Sequence, residues 1–164
     1  MKKNIIFILL ALISCNSKNT LKKVSDCDFR YNSSLFSDHI IFEKVAYDSK
    51  TGIYTITEKE NIIEKPSIKT IFIKLDENTK KEICNLYDSL KPMKLYNCFY
   101  DRDNGELLEK TFISFYTENN NVDSTKCYNF QDNKKMQKLN ASIMDKLRST
   151  KIYRDTFYWE FYKK

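Results

Sequence analysis

Five cysteines, one histidine and a scatter of carboxylates are the residues of this chain with chemistry to offer. Cys15 closes an apolar run, Leu12-Ile13-Ser14-Cys15, and Cys27, Cys84, Cys98 and Cys127 are spread over the rest. No two stand in a CxxC spacing, so neither a zinc ribbon nor a thioredoxin-type redox pair can be assembled. His39 follows Ser37 and Asp38, but a Ser-His-Asp site needs three groups converging in space, and adjacency in sequence gives no such convergence. His39 therefore reads as a solvent-exposed loop residue. A single His excludes His-rich zinc sites and the HExxH protease site. Two glycines, Gly52 and Gly105, cannot build a phosphate loop or a dinucleotide fingerprint.

The carboxylates form pairs in sequence, Asp101 with Asp103 beside Arg102, and Glu106 with Glu109. Glycosidase chemistry needs two carboxyl groups about 5–10 Å apart across a cleft. A chain with 22 acids offers such pairs by chance. Asp101-Arg102-Asp103-Asn104-Gly105 has the alternating oxygen ligands of a calcium loop, but Phe112 stands where the closing Glu belongs. It reads as a hairpin turn. At the C-terminus Phe157, Trp159 and Phe161 alternate with Tyr158, Glu160 and Tyr162. That period of two predicts a strand whose first set packs in the core, leaving Tyr158 and Tyr162 as candidate partner contacts.

The N-terminus carries an address. Lys2 and Lys3 precede an unbroken apolar run from Ile5 to Ile13. It is too short for a bilayer, which takes about 20 residues, and fits the central region of a secretory signal. With the terminal Leu12-Ile13-Ser14-Cys15 it resembles the lipobox of bacterial lipoproteins, and the order of elements along the chain, three strands and a helix twice over with a closing strand, is similar in architecture to small uncharacterised lipoproteins of Gram-negative bacteria. The resemblance implies a signal peptide over 1–14, lipid on the thiol of Cys15 and a mature chain beginning there. Two or more acyl chains would make the anchor stable, since each buried CH₂ contributes about 0.8 kcal/mol. Asn16 is not Asp, and Asn16-Ser17-Lys18-Asn19-Thr20 has no acid. Both point to lipid anchoring at the periplasmic face of the outer membrane, with surface exposure as the alternative. The implied partners are that membrane, through Cys15, and an envelope protein. No cofactor and no nucleic acid are expected.

From Cys15 the chain has 150 residues, enough for one domain over 26–164 after a polar tether that completes 15–25. Loss of Lys2 and Lys3 leaves 26 basic residues against 22 acidic ones, a net charge of +4 spread in short runs such as Lys22-Lys23, Lys80-Lys81 and Lys134-Lys135. Surface segments account for such runs. Few glycines and prolines with 14% aromatic residues argue for an ordered core. An oxidising compartment favours at least one bridge among Cys27, Cys84, Cys98 and Cys127, in any of three connectivities.

The elements that must position these residues follow from periodicity. Residues 26–38 read as an irregular segment pinned by Cys27. A hairpin is predicted from 40–47 and 53–58 around the turn 48–52, then a strand over 68–75 with Ile71, Ile73 and Leu75 on one face. Asp76 caps a helix running to about Leu90, with Ile83, Leu86, Tyr87 and Leu90 toward the sheet and Pro92 ending it. Strands are expected at 95–101, 107–118 and 124–131. In 107–118, Phe112 against Ile113 and Phe115 against Tyr116 suggest cover on both faces. A second helix over 134–148 carries the stripe Met136, Leu139, Ile143, Leu147. The fold class is α+β: an antiparallel sheet of about five to seven strands with two helices packed on one face. Two functions fit: a lipid-anchored, non-catalytic binding or interaction module of accessory, inhibitor or immunity type, and a hydrolase of envelope polymers using a carboxylate pair that the sequence does not single out.

Overall fold

The computed structural model describes residues 27–59, 63, 65–92, 95–101, 103, 105–116 and 134–158. They form β1 (Phe29–Ser37), β2 (Ile40–Asp48), β3 (Ile53–Glu58), β4 (Ser67–Phe72), α1 (Glu77–Leu90), β5 (Tyr96–Tyr100), β6 (Leu107–Phe115), α2 (Lys134–Arg148) and α3 (Lys151–Thr156). The strands make one six-stranded sheet in the order β4-β3-β2-β1-β6-β5, every pair antiparallel. The α+β class and the strand count are as the pattern predicts.

The largest departure is β1. Residues 29–37, expected to be irregular, are a central strand bonded to β2 on one side and β6 on the other. Arg30, Asn32 and Ser34 hide the alternation, yet Phe29, Tyr31 and Ser33 are buried on the other face. A second correction lies at the C-terminus. Thr150 caps a helix where no element was expected, its Oγ1 accepting from the Tyr153 N–H, and Phe157 closes that helix instead of opening a strand. Residues 159–164, with Trp159, Phe161 and Tyr162, lie outside the described residues, as does the strand expected at 124–131.

Both long helices fall where the sequence predicts. Asp76 accepts from the Thr79 N–H at 2.8 Å, and Lys91 takes a left-handed conformation one residue before Pro92. Ile83 is fully buried, and Cys84, Leu86, Tyr87 and Leu90 are partly buried against the core. Met136, Leu139, Ile143 and Leu147 are all fully buried. The sheet meets them with Phe29, Tyr47, Tyr54 and Phe115, and Tyr87 stacks on Phe115 with centroids 4.4 Å apart. Tyr54 meets Tyr153 and Phe157 edge-on, which docks α3 onto the same face. In β6, burial is confined to that face, at Thr111, Ile113 and Phe115; Phe112, on the other, is half-buried. Two-sided cover is therefore not what its apolar run reports.

Candidate functional site

Three groups of polar residues stand out. The first is at the end of the sheet where the chain enters. Cys27 is disulfide-bonded to Cys84 of α1, with Cα atoms 5.9 Å apart. Beside it, Asp28 Oδ1 accepts from Lys80 Nζ at 2.9 Å and from Ser49 Oγ at 3.1 Å. Ser49 Oγ in turn accepts from the Phe29 N–H at 2.8 Å. Lys80 also reaches Glu77 at 2.8 Å. Burial of Lys80 works against its charge, but the carboxylates of Glu77 and Asp28 outweigh it and raise the ammonium above its usual value. Every donor here has an acceptor, so the arrangement ties strand, turn and helix together.

The second group continues across β1 and β2. Asp48 Oδ1 accepts from the N–H groups of Lys50 and Thr51, which shapes the β2–β3 turn. Its Oδ2 accepts from Arg30 Nε at 3.2 Å and from the Tyr116 hydroxyl. Arg30 also lies 4.7 Å over the Tyr116 ring. Burial opposes ionisation of Asp48, but Tyr116, Thr51, Arg30 and Lys50 together hold its carboxyl below the ordinary value.

The third lies at the rim of the helix-bearing face. Thr111 Oγ1 donates to Glu109 Oε1 at 2.7 Å, and Ser33 Oγ is 3.3 Å from Thr111 Oγ1. Tyr31 stands next to them, its phenol pushed up to about 12 mainly by burial, against a lowering hydrogen bond to Ser33. On the neighbouring strands Glu43 and Glu58 are register partners and share this face.

The sequence candidates separate. His39 sits with Asp38 in the β1–β2 turn, both at positive φ (64° and 50°), which is the geometry of a two-residue type I′ hairpin loop. Its side chain is 78% exposed and its Nε2 is 3.5 Å from Glu106. Ser37 and Asp38 build no triad around it. Asp101 and Asp103 form the β5–β6 hairpin turn, where the Asp103 N–H bonds Asp101 Oδ1 and the Gly105 N–H bonds the Asp101 carbonyl. Glu106 and Glu109 serve different partners, His39 and Thr111. Cys98 is also disulfide-bonded, with its partner outside the described residues, as are Cys15, Cys127 and Tyr162. Tyr158 follows α3 and is 62% exposed.

Sequence reasoning missed Lys80 and Asp28, treating Lys80 as part of a surface run. A signal was present: Lys80 precedes Ile83, Cys84 and Tyr87 at helical spacing, so it lies on the apolar stripe. Among the described residues no group of three or more His, Cys, Asp or Glu is placed to hold a metal ion, and no helix is long and apolar enough to cross a membrane.

The opposite sheet face carries different chemistry. Arg30, Asn32 and Ser34 of β1 point there, with Lys44 of β2, Thr55 and Thr57 of β3, Thr70 of β4 and Lys110 of β6 in register around them. Ile53, Ile68 and Phe72 stand at its β3–β4 side. Asp48 is the only acid among the described strand residues pointing to this face, and it is already held by Arg30 and Tyr116. Comparison of the chain with protein-family models, with curated proteins and with solved structures finds no match.

Proposed function

We propose that this protein is a lipid-anchored envelope protein that acts as a non-catalytic interaction module of accessory, inhibitor or immunity type. The anchor is Cys15, at the outer membrane, and the recognition surface is the sheet face turned away from the helices. The observation that carries the reading is that face. All three described helices pack on the other side, while this side presents Lys44 and Lys110, the hydroxyl and amide groups of Ser34, Thr55, Thr57 and Asn32, and exposed apolar side chains. Cations interspersed with apolar and hydrogen-bonding groups on one sheet face suit a protein partner with an acidic face. Cys27 is twelve residues from Cys15, so the tether spans at most about 40 Å at about 3.5 Å per residue. Such a reach keeps the domain near the membrane.

The experiment places a photo-crosslinking amino acid at Thr55, and separately at Lys138 on the exposed side of α2, in the chain expressed in its own envelope. A discrete protein adduct from Thr55, absent from Lys138, is expected. An acyl mass on Cys15 is expected from the same preparations. No adduct at Thr55, or equal adducts at both positions, removes the recognition surface, and an unmodified Cys15 removes the anchor.

One observation favours the hydrolase reading, the juxtaposition of Glu43 and Glu58 across β2 and β3. It requires that purified chain release reducing ends from envelope glycan and that Glu43→Gln or Glu58→Gln abolish the release.

A further inference from the structure

The sheet has two edges, and they differ. β5 carries a register shift between Phe99 and Tyr100. β4 pairs with β3 without irregularity over its six residues. The Ile73 N–H bonds the Gly52 carbonyl at 2.7 Å. In an antiparallel ladder the bonded positions alternate, so Ile71, Lys69 and Ser67 also turn their backbone toward β3. The N–H and C=O groups of Ile68, Thr70 and Phe72 therefore point away from the sheet, and nothing pairs with them among the described residues. Natural proteins usually blunt such an edge with a charge, a proline or a bulge. The one charge within β4 is Lys69, and its Nζ is turned toward its own α3, donating to the Thr156 carbonyl at 3.2 Å and lying 4.8 Å over the Phe157 ring.

We propose that β4 is a self-association edge, pairing antiparallel with β4 of a second copy about a two-fold axis through Thr70. The register follows from the residues. An axis at Thr70 joins outward-pointing backbone groups as a hydrogen-bonded pair, and sets Ile68 of each copy against Phe72 of the other. These two side chains are 66% and 60% exposed in the single chain. Both lie on the face away from the helices, so one contact covers both and does so twice. Lys69 then opposes Ile71. An axis at Lys69 would place two ammonium groups directly opposite each other, and an axis at Ile71 would leave Ile68 without a cross-strand partner. Six backbone hydrogen bonds close between the copies, and two six-stranded sheets become one of about twelve strands.

The occupant is a second copy, not a foreign strand, because the edge is complementary to itself: a large apolar side chain at each end, a threonine at the centre and a cation that meets no cation. The association does not depend on Cys15, Lys44 or Lys110, but it covers Ile68 and Phe72 at the edge of the proposed recognition face, where Thr55 is the register partner of Thr70. A Thr55 adduct of twice the chain mass therefore reports the second copy, and one of any other mass reports a foreign partner.

The test uses the full chain in detergent at tens of micromolar. Light scattering should give twice the protein mass of one chain. Thr70→Cys should form an interchain disulfide under mild oxidation, since a hydrogen-bonded pair has its Cα atoms about 5.5 Å apart, within disulfide range. Lys69→Cys and Ile53→Cys should not. Thr70→Pro removes an outward N–H and the exposed hydroxyl contact with Thr55 but no β3–β4 ladder bond, so it should halve the mass and leave the far-ultraviolet spectrum unchanged. Ile68→Lys offers a second route to the monomer without altering the backbone. A monomeric wild-type chain overturns the proposal. So does a dimer that persists in both Thr70→Pro and Ile68→Lys, or one that cross-links through Lys69→Cys in preference to Thr70→Cys.

Discussion

Lys80 Nζ lies 2.9 Å from Asp28 Oδ1, joining α1 to the residue just before β1, one position from the Cys27–Cys84 disulfide. An ammonium at this depth survives because Asp28 and Glu77 both accept from it. The pair and the disulfide hold one junction by different means. Lys80→Met should leave Asp28 with Ser49 as its remaining side-chain donor and lower stability by about 1–3 kcal/mol. Urea unfolding measures it. An unchanged midpoint would mean that Asp28 recovers water at no net cost.

The disulfide closes a loop between residues 57 apart in sequence. On a chain-entropy estimate a loop of that size is worth about 4 kcal/mol at 25 °C. The Cys27→Ser, Cys84→Ser double variant should lose stability on that order, with the helix content of α1 largely kept, since Asp76 and Ile83 still act. Combined with Lys80→Met, the losses should not add, because both changes release the same strand start. Denaturant curves of the three proteins give the coupling directly, and strict additivity would show that the two ties act independently.

Asp48 yields a pH dependence with a definite sign. Its folded carboxyl titrates below the ordinary value, whereas an unfolded Asp titrates near about 3.9. Such a group stabilises the fold above the unfolded value and loses that stabilisation as pH falls through the folded one. The loss therefore falls below about pH 4. Tyr116→Phe removes one donor to Asp48 and should move this part of the acid transition to higher pH. Asp48→Asn should remove it. Thermal melts between pH 2 and 6 compare the three, and identical acid limbs would separate Asp48 from the transition.

The two long helices and the outer strands were legible because each presents one strong signal: a cap at Asp76, a stripe from Met136 to Leu147, a turn at residues 49–52 flanked by alternation. The central strand was not. A strand in the middle of a one-sided sheet needs apolar residues on one face only, and β1 fills the other with Arg30, Asn32 and Ser34. Ser33 is inward and buried, satisfied by Thr111 and Glu109, so even the inner face is broken by a polar residue. The entry cluster was hidden for a related reason: Lys80 looks like half of a surface pair until the partner from 52 residues earlier is in place. Long-range hydrogen bonding is what periodicity cannot carry. The cationic character of the outward face was equally hidden, because Lys44 and Lys110 become neighbours of Ser34 only through the strand register.

The C-terminal aromatics separate two geometries. Alternation of Phe157, Trp159 and Phe161 with Tyr158, Glu160 and Tyr162 predicts a strand, whereas Phe157 closes α3, its N–H bonding the Tyr153 carbonyl at 2.9 Å. Phe157 is nonetheless core: buried against Tyr54 and Tyr153, with Lys69 over its ring. Truncating a buried Phe typically costs about 3–5 kcal/mol, a large part of a stability of about 5–15 kcal/mol. Phe157→Ala should therefore lower the melting temperature by many degrees and loosen α3 from β4. Tyr158, adjacent in sequence but exposed, should tolerate Ala within about 0.5 kcal/mol. The distinguishing change is Thr150→Ala. A helix capped at Thr150 loses about 1 kcal/mol without its side-chain acceptor, whereas a C-terminal strand beginning at Phe157 would not respond to residue 150. Thermal melts of the three variants, with amide exchange at Tyr153 and Arg154 as the local readout, decide it. Protection at those amides that survives Thr150→Ala unchanged would reject the cap.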